Sequence, residues 1–274
     1  MYTNYWKLEE RPFDNRRDGR FYYPGQSHQA TLLKLRYAIE HRSVAALLAG
    51  PSGCGKSLLI NSLFDELSDV YQPLVHVRFP QMTPAELLAY LAAELTGAEV
   101  NDGGVDHSLR AIQRVLEHNA REDRHAVIVI DEAHLLRDTE TIETVRLLLN
   151  FEPALSVLMV AQPALLPALD RLPELEERIG VKCLLRHFSS DETIAYISHR
   201  LVAAGAKDVH AIFESEALER IHTISAGVPR RINRVCDLAL LIGYAEEQPK
   251  ITTEHIQAVA EELLSSTPEV RRAA

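Results

Sequence analysis

The run Gly50-Pro51-Ser52-Gly53-Cys54-Gly55-Lys56-Ser57 has the spacing G-x-x-x-x-G-K-S, and its residue types suit an anion. Glycines let main-chain N–H groups turn inward around a phosphate. A helix starting at Lys56 adds the partial positive charge of its N-terminus. The Lys56 ammonium would reach the β- and γ-phosphates of a nucleotide, and the Ser57 hydroxyl would ligate Mg²⁺. Gly50 through Leu58 is thus the predicted nucleotide-binding segment, with ATP and Mg²⁺ as the expected cofactors. Cys54 reads as a loop filler, since nothing around it marks an activated thiol.

About 75 residues downstream stands Val127-Ile-Val-Ile-Asp131-Glu132-Ala133-His134. Four apolar residues before an acidic pair put Asp131 at the carboxyl end of a buried strand, the edge where open parallel sheets bind ligands. Asp131 would hold Mg²⁺, and Glu132 would orient and deprotonate the attacking water. Alone the pair is a weak signal, because many helices open on acidic residues; joined to the glycine-rich run it is a strong one. His134 completes the string DEAH, but helicases with that string need a second RecA-like domain, for which the chain has no room.

These residues need a scaffold. Strand-like runs at Val44–Ala49, Leu74–Phe79, Val127–Ile130, Ser156–Ala161 and Val181–Leu185 alternate with helical patterns at Lys56–Leu67, Pro84–Thr96, Ser108–Arg121 and Thr139–Asn150. That alternation predicts an α/β, αβα sandwich with a five-stranded parallel sheet. Gly97–Asp106 reads as a loop. From Ser189 the pattern turns all-helical, over Asp191–Ala204, Glu214–Ser225, Pro229–Ala245 and Thr253–Leu264. The expected division is an α/β domain over 1–188 that includes the N-terminal segment, a small helical domain over 189–264 and a flexible tail over 265–274.

Composition sets limits. With 46% apolar, 25% charged and 6% aromatic residues in 274, the chain is neither disordered nor low-complexity. No apolar run spans a bilayer, the polar N-terminus is not a signal peptide, and three scattered cysteines make no disulfide framework. A cytoplasmic location follows as the expectation. The net charge is −10, which on average repels nucleic acid. Residues 1–60 nevertheless carry nine Lys/Arg against five Asp/Glu.

GPSGCGKS and VIVIDEAHLL, taken in order with Arg11-Pro12-Phe13, Phe21-Tyr22-Tyr23, VAQPALLPAL, LEERI, SSDETIAYISHRL and GVPRRINRVCDLALL, resemble the AAA+ ATPase module of the general secretion pathway protein A family. Its relatives include ATP-binding regulators of transposons. The resemblance runs over roughly residues 5–264, and it implies an ATPase whose lid closes on nucleotide and whose subunits assemble into a ring or filament. It implies that Gln162 positions the lytic water, with a cap before Pro163 as the alternative. It implies that Arg178 is an arginine finger reaching a neighbouring subunit's site, the alternative being an ion pair with Glu176 or Glu177. Arg230 would be the lid's phosphate sensor, unless Arg231 takes that task. Arginine suits these tasks because its fork stays charged and pairs bidentately with phosphate oxygens. Family members often continue into a membrane-spanning helix and a peptidoglycan-binding region. This sequence ends after the lid, so it is not expected to span the envelope by itself.

Residues 1–23 mix Tyr2, Tyr5, Trp6, Phe13, Phe21, Tyr22 and Tyr23 with Lys7, Arg11, Arg16, Arg17 and Arg20. Such interleaving either stacks on bases and neutralises phosphates, or packs over the sheet edge beside the adenine pocket with its arginines in solvent. Three functions stay open at this point: an assembling ATPase with an unidentified protein client, a nucleotide-switched DNA-binding regulator that recruits a transposase-like partner, and a loader for secretion or pilus proteins.

Overall fold

In the computed structural model, which describes residues 1–14, 18–98, 104–136 and 139–265, the five strands are β1 (Ala45–Ala49), β2 (Leu74–Val77), β3 (Val127–Ile130), β4 (Ser156–Ala161) and β5 (Ile179–Leu184). All pairings are parallel, in the order β2-β3-β4-β1-β5. Position in the sheet follows from side-chain pattern. β1, β3 and β4 are buried at every residue, as strands covered on both faces must be. The edge strands β2 and β5 carry partly exposed and exposed residues such as His76 and Lys182. β5 begins two residues earlier than its apolar run suggests, because the ladder to β1 shifts between Ala45 and Ala46 and takes in Gly180 as an extra residue.

The helices between the strands are Lys56–Glu66, Pro84–Thr96, Gly104–Arg121 and Thr139–Leu148; they follow the expected patterns except that the third starts at Gly104, within the stretch Gly97–Asp106 expected as a loop. Helix Pro84–Thr96 starts with a capping box in which the Thr83 hydroxyl accepts from the Glu86 N–H while the Glu86 carboxylate accepts from the Thr83 N–H. One long helix, Gln26–Glu40, escaped the sequence pattern. Its buried face, His28, Thr31, Leu35, Ala38 and Ile39, has helical spacing, but two of the five residues are polar. The expected loop residues 99–103 and the expected tail residues 266–274 lie outside the described residues.

The chain divides into two compact units. The α/β unit comprises 27–52 and 56–185, with one apolar core under and over the sheet. The helical unit comprises 1–26, 53–55 and the chain from Arg186 onward. It contains helices Ser190–Ala203, Ser215–Ser225, Pro229–Ala245 and Thr253–Ser265. The first of these is capped by Ser189, whose hydroxyl accepts from the Glu192 N–H while the Glu192 carboxylate accepts from the Ser189 N–H.

The N-terminal segment departs from the expected division. It belongs to the helical unit rather than to the sheet edge, and Tyr2, Trp6, Phe13 and Phe21 are buried in that unit's core. The Trp6 indole N–H donates to the Leu240 carbonyl at 3.0 Å, and the Tyr2 hydroxyl donates to Asp237 at 2.5 Å. Burying an aromatic ring removes some 150–250 Å² from water, far more than base stacking on an exposed ring could offset. Arg11 pairs with Asp237 at 2.9 Å, and Arg20 pairs with Asp18 at 2.6 Å and Glu10 at 2.9 Å. Arg16 and Arg17 lie outside the described residues. The four buried rings therefore form no base-stacking platform. No helix among the described residues is long and apolar enough to cross a membrane.

Candidate phosphate site

The sheet ladder brings the chemical residues to one edge. Ala49 at the end of β1 pairs with Ala161 at the end of β4, and Ile130 at the end of β3 pairs with Val77 on β2. The residues that follow these ends are Gly50, Gln162 and Asp131, and two of them stay tied to the neighbouring strand. The Gly50 N–H donates to the Ala161 carbonyl at 3.1 Å, and the Asp131 N–H donates to the Val77 carbonyl at 2.8 Å. This is the carboxyl edge where ligands of parallel sheets bind.

The glycine-rich turn has the backbone its glycines permit. Gly53 and Gly55 take φ values of +81° and +96°, a left-handed region closed to most side chains. A Cβ on Gly53 would also lie 2.9 Å from the Cβ of Arg230. Cys54 is fully buried, and none of the three cysteines forms a disulfide. Burial raises the thiol pKa of Cys183 and Cys236, the second strongly, so these sulfurs stay protonated and unreactive. Lys56 opens its helix almost wholly buried, and its ammonium donates to the Gly50 carbonyl at 2.7 Å and the Pro51 carbonyl at 3.0 Å. Among the described residues this ammonium is paired with loop carbonyls and with no carboxylate, a state that an anion would relieve.

The two residues expected to hold a metal also lie together. The Ser57 hydroxyl donates to Asp131 Oδ2 at 3.3 Å, and Asp131 Oδ1 accepts the Glu132 N–H at 2.9 Å. His76 Nε2 on β2 lies 3.5 Å from Asp131 Oδ2. Burial by itself would raise the Asp131 pKa, but His76, the Glu132 amide and the Ser57 hydroxyl together hold it below the usual carboxylate range. Asp131 is therefore an anion at neutral pH. Among the described residues no group of three or more His, Cys, Asp or Glu forms a metal cage of its own. One hydroxyl and one carboxylate fit Mg²⁺, which usually takes few protein ligands and completes its shell with phosphate oxygens and water.

Glu132 has a left-handed backbone, φ 50°, and opens the turn Ala133–Leu135. Its side chain is 42% exposed, and its Oε2 lies 3.4 Å from His134 Nδ1. The Gln162 main-chain N–H donates to that same His134 nitrogen at 3.4 Å. Gln162 does occupy the cap position before Pro163, yet its side chain makes no capping hydrogen bond. The His134 contacts were missed from sequence, where the residue served only to complete a familiar string.

Arg178 stands half-buried just before β5. Its expected ion-pair partner Glu176 pairs with Lys182 at 2.5 Å, and no ion pair to Arg178 occurs among the described residues. In the helical unit, Pro229 starts its helix as its ring favours. The next amide, an orphan donor of the first turn, is satisfied: the Arg230 N–H donates to the Gly53 carbonyl at 3.3 Å. The side chains of Arg230, Arg231 and Arg234 are all exposed.

Residues 40–169 match the family model described as AAA domain. Over 270 residues the chain is 31% identical to General secretion pathway protein A of Aeromonas hydrophila, covering 96% of this chain and 48% of the relative. The chain thus spans about half the length of that curated relative. Drosophila ORC, solved bound to DNA, superposes with a TM-score of 0.68 at 17% identity, covering 92% of this chain and 64% of the other. ORC2 of Aeropyrum pernix, solved in ADPNP–ADP complexes, gives 0.65 at 18% identity, covering 93% and 72%. At these identities the structural likeness shows the fold.

Proposed function

We propose, from the premise that the chain is a AAA+ protein, that it binds Mg·ATP on the Gly50–Leu58 segment, hydrolyses it, and uses the nucleotide to control its own assembly. The observation that carries this reading is the Ser57–Asp131 contact of 3.3 Å, between the hydroxyl that follows Lys56 and the carboxylate that follows β3. Both metal donors and the phosphate cradle then act on one triphosphate.

In this reading the main-chain amides of the turn and the Lys56 ammonium bind the β- and γ-phosphates. Ser57 and Asp131 would hold Mg²⁺, which when bound neutralises charge between those phosphates. Gln162 orients a water against the γ-phosphorus. As the water oxygen bonds to phosphorus and the bond to the β-phosphate oxygen breaks, Glu132 accepts the water proton, and ADP and inorganic phosphate leave. Arg230, whose backbone amide already binds Gly53, pairs with phosphate oxygens. Arg178, which makes no ion pair among the described residues, acts on the nucleotide of a neighbouring subunit in a ring or filament. Fingers of this kind are worth about 10³–10⁵ in rate, so an isolated subunit turns over slowly.

We place this activity in the cytoplasm and, by the likeness to General secretion pathway protein A, in secretion or envelope assembly, acting on a protein client. The alternative, a DNA-binding regulator that recruits a transposase-like partner, draws on the likeness to ORC but has lost most of its stacking residues to the core. A gel shift at low salt with a slow ATP analogue tests that alternative, and no shift removes it.

Size measurement with and without ATP tests the main reading. Lys56→Ala should stay unassembled in ATP because it binds none. Glu132→Gln should bind ATP, lose about 10²–10⁴ in turnover and accumulate in the assembled state. Parental turnover by Glu132→Gln would remove Glu132 as the base.

A further inference from the structure

The water-activating role given to Glu132 demands more than a carboxylate of the right charge. A proton acceptor must point at the water, and a misplacement near 1 Å can cost on the order of 10² in rate. Glu132 starts with a freedom that works against this. It follows the last residue of β3 by two positions, its side chain is 42% exposed, and an exposed glutamate loses rotamer entropy when it is held in one direction.

Among the described residues one neighbour is placed to hold it. The His134 ring is largely buried, with 13% of its side chain exposed, and presents Nδ1 to Glu132 Oε2 at 3.4 Å. The same nitrogen lies 3.4 Å from the main-chain N–H of Gln162, the first residue beyond β4. β3 and β4 are adjacent in the sheet, with Ile130 opposite Met159, so a single imidazole nitrogen joins the ends of the two strands that carry the proposed base and the proposed water-orienting residue. An imidazole nitrogen has one proton or one lone pair to offer. Donating, it fixes the glutamate; accepting, it takes the Gln162 amide. The two contacts exclude each other, so whether Nδ1 can hold the carboxylate depends on where the end of β4 places the Gln162 amide.

We propose that His134 is a positioning residue for the hydrolysis reaction, aiming the Glu132 carboxylate through Nδ1 and coupling that aim to the end of β4 at Gln162. The proposal rests on the ATPase reading above. His134 touches neither nucleotide nor metal in this scheme and acts through Glu132.

The test is a mutant cycle on the full chain, read by steady-state ATP hydrolysis and by Mg·ATP affinity. His134→Ala should lower kcat about 10²-fold and leave KM and nucleotide affinity within about twofold, because only aim is lost. His134→Phe, which keeps the ring and its packing but lacks the nitrogen, should match it, so the effect is read even if the alanine variant fails to fold. His134→Asn, whose amide can stand near the Nδ1 position, should recover about tenfold of the loss. The decisive comparison is His134→Phe combined with Glu132→Gln: if His134 acts through Glu132, the double variant is no slower than Glu132→Gln alone. Parental kcat in His134→Phe, or losses that multiply in the double variant, would overturn the proposal while leaving the ATPase reading intact. A parental chain that binds Mg·ATP without turnover would instead remove the hydrolysis reading, and this inference with it.

Discussion

At the scale of single residues, the candidate site joins groups far apart in sequence, and one glycine shows how tightly it is built. Gly53 is held in the left-handed region at φ +81°, and any Cβ there would meet Arg230 at 2.9 Å. A left-handed alanine costs about 1–2 kcal/mol before any clash. Gly53→Ala should therefore lower Mg·ATP affinity at least about tenfold and reduce unfolding free energy by about 1–3 kcal/mol, measured by nucleotide titration and urea denaturation. Unchanged values in both would mean that the turn's conformation is not what binds phosphate. Most of this site could be read in advance. Gly53, Gly55, Lys56 and Ser57 carry a local chemical pattern that survives without the fold, and so does Asp131 behind four apolar residues. The tie from His134 to Gln162 could not, since it depends on strand adjacency, which spacing along the chain does not encode.

At the scale of elements, burial pattern was a good guide wherever it was apolar and a poor one wherever the buried face was polar. Strand β4 illustrates a polar residue at a buried position. Its first residue, Ser156, accepts from His125 Nε2 at 2.8 Å and donates its own proton to the Ser43 carbonyl at 2.6 Å. His125 Nε2 can donate in either protonation state, so its surroundings and not this bond decide its charge. Burial, helped by the positive charge of Arg42, pushes its pKa down from 6.5 to about 4. Between those two values the unfolded chain binds a proton that the folded chain refuses. The stability this contributes is fully present above pH 6.5 and is lost as the pH falls toward 4. Urea denaturation at pH 7.5 and pH 5 should show a lower midpoint at the acid value, and His125→Asn should flatten that difference. An equal pH dependence in the variant would contradict the assignment. The same reasoning explains the helix Gln26–Glu40, hidden because His28 and Thr31 share its buried face. It also explains the N-terminal segment. Aromatic composition left open whether residues 1–23 stack on bases or pack, and tertiary structure selects the helical unit's core for Tyr2, Trp6, Phe13 and Phe21.

At the scale of the whole molecule, the chain builds two cores, one around a parallel sheet and one around four helices and an aromatic N-terminal segment. The proposed ATPase activity rests on the glycine-rich turn Gly50–Ser57. All of it depends on a triphosphate binding at that turn. Isothermal titration calorimetry of the full chain with ATP in the presence of magnesium tests this most directly. The account predicts saturable binding at one site per chain, weakened at least about 100-fold, or some 2.7 kcal/mol, in Lys56→Ala. No saturable binding by the parental chain, or equal affinity in the Lys56→Ala variant, would contradict it.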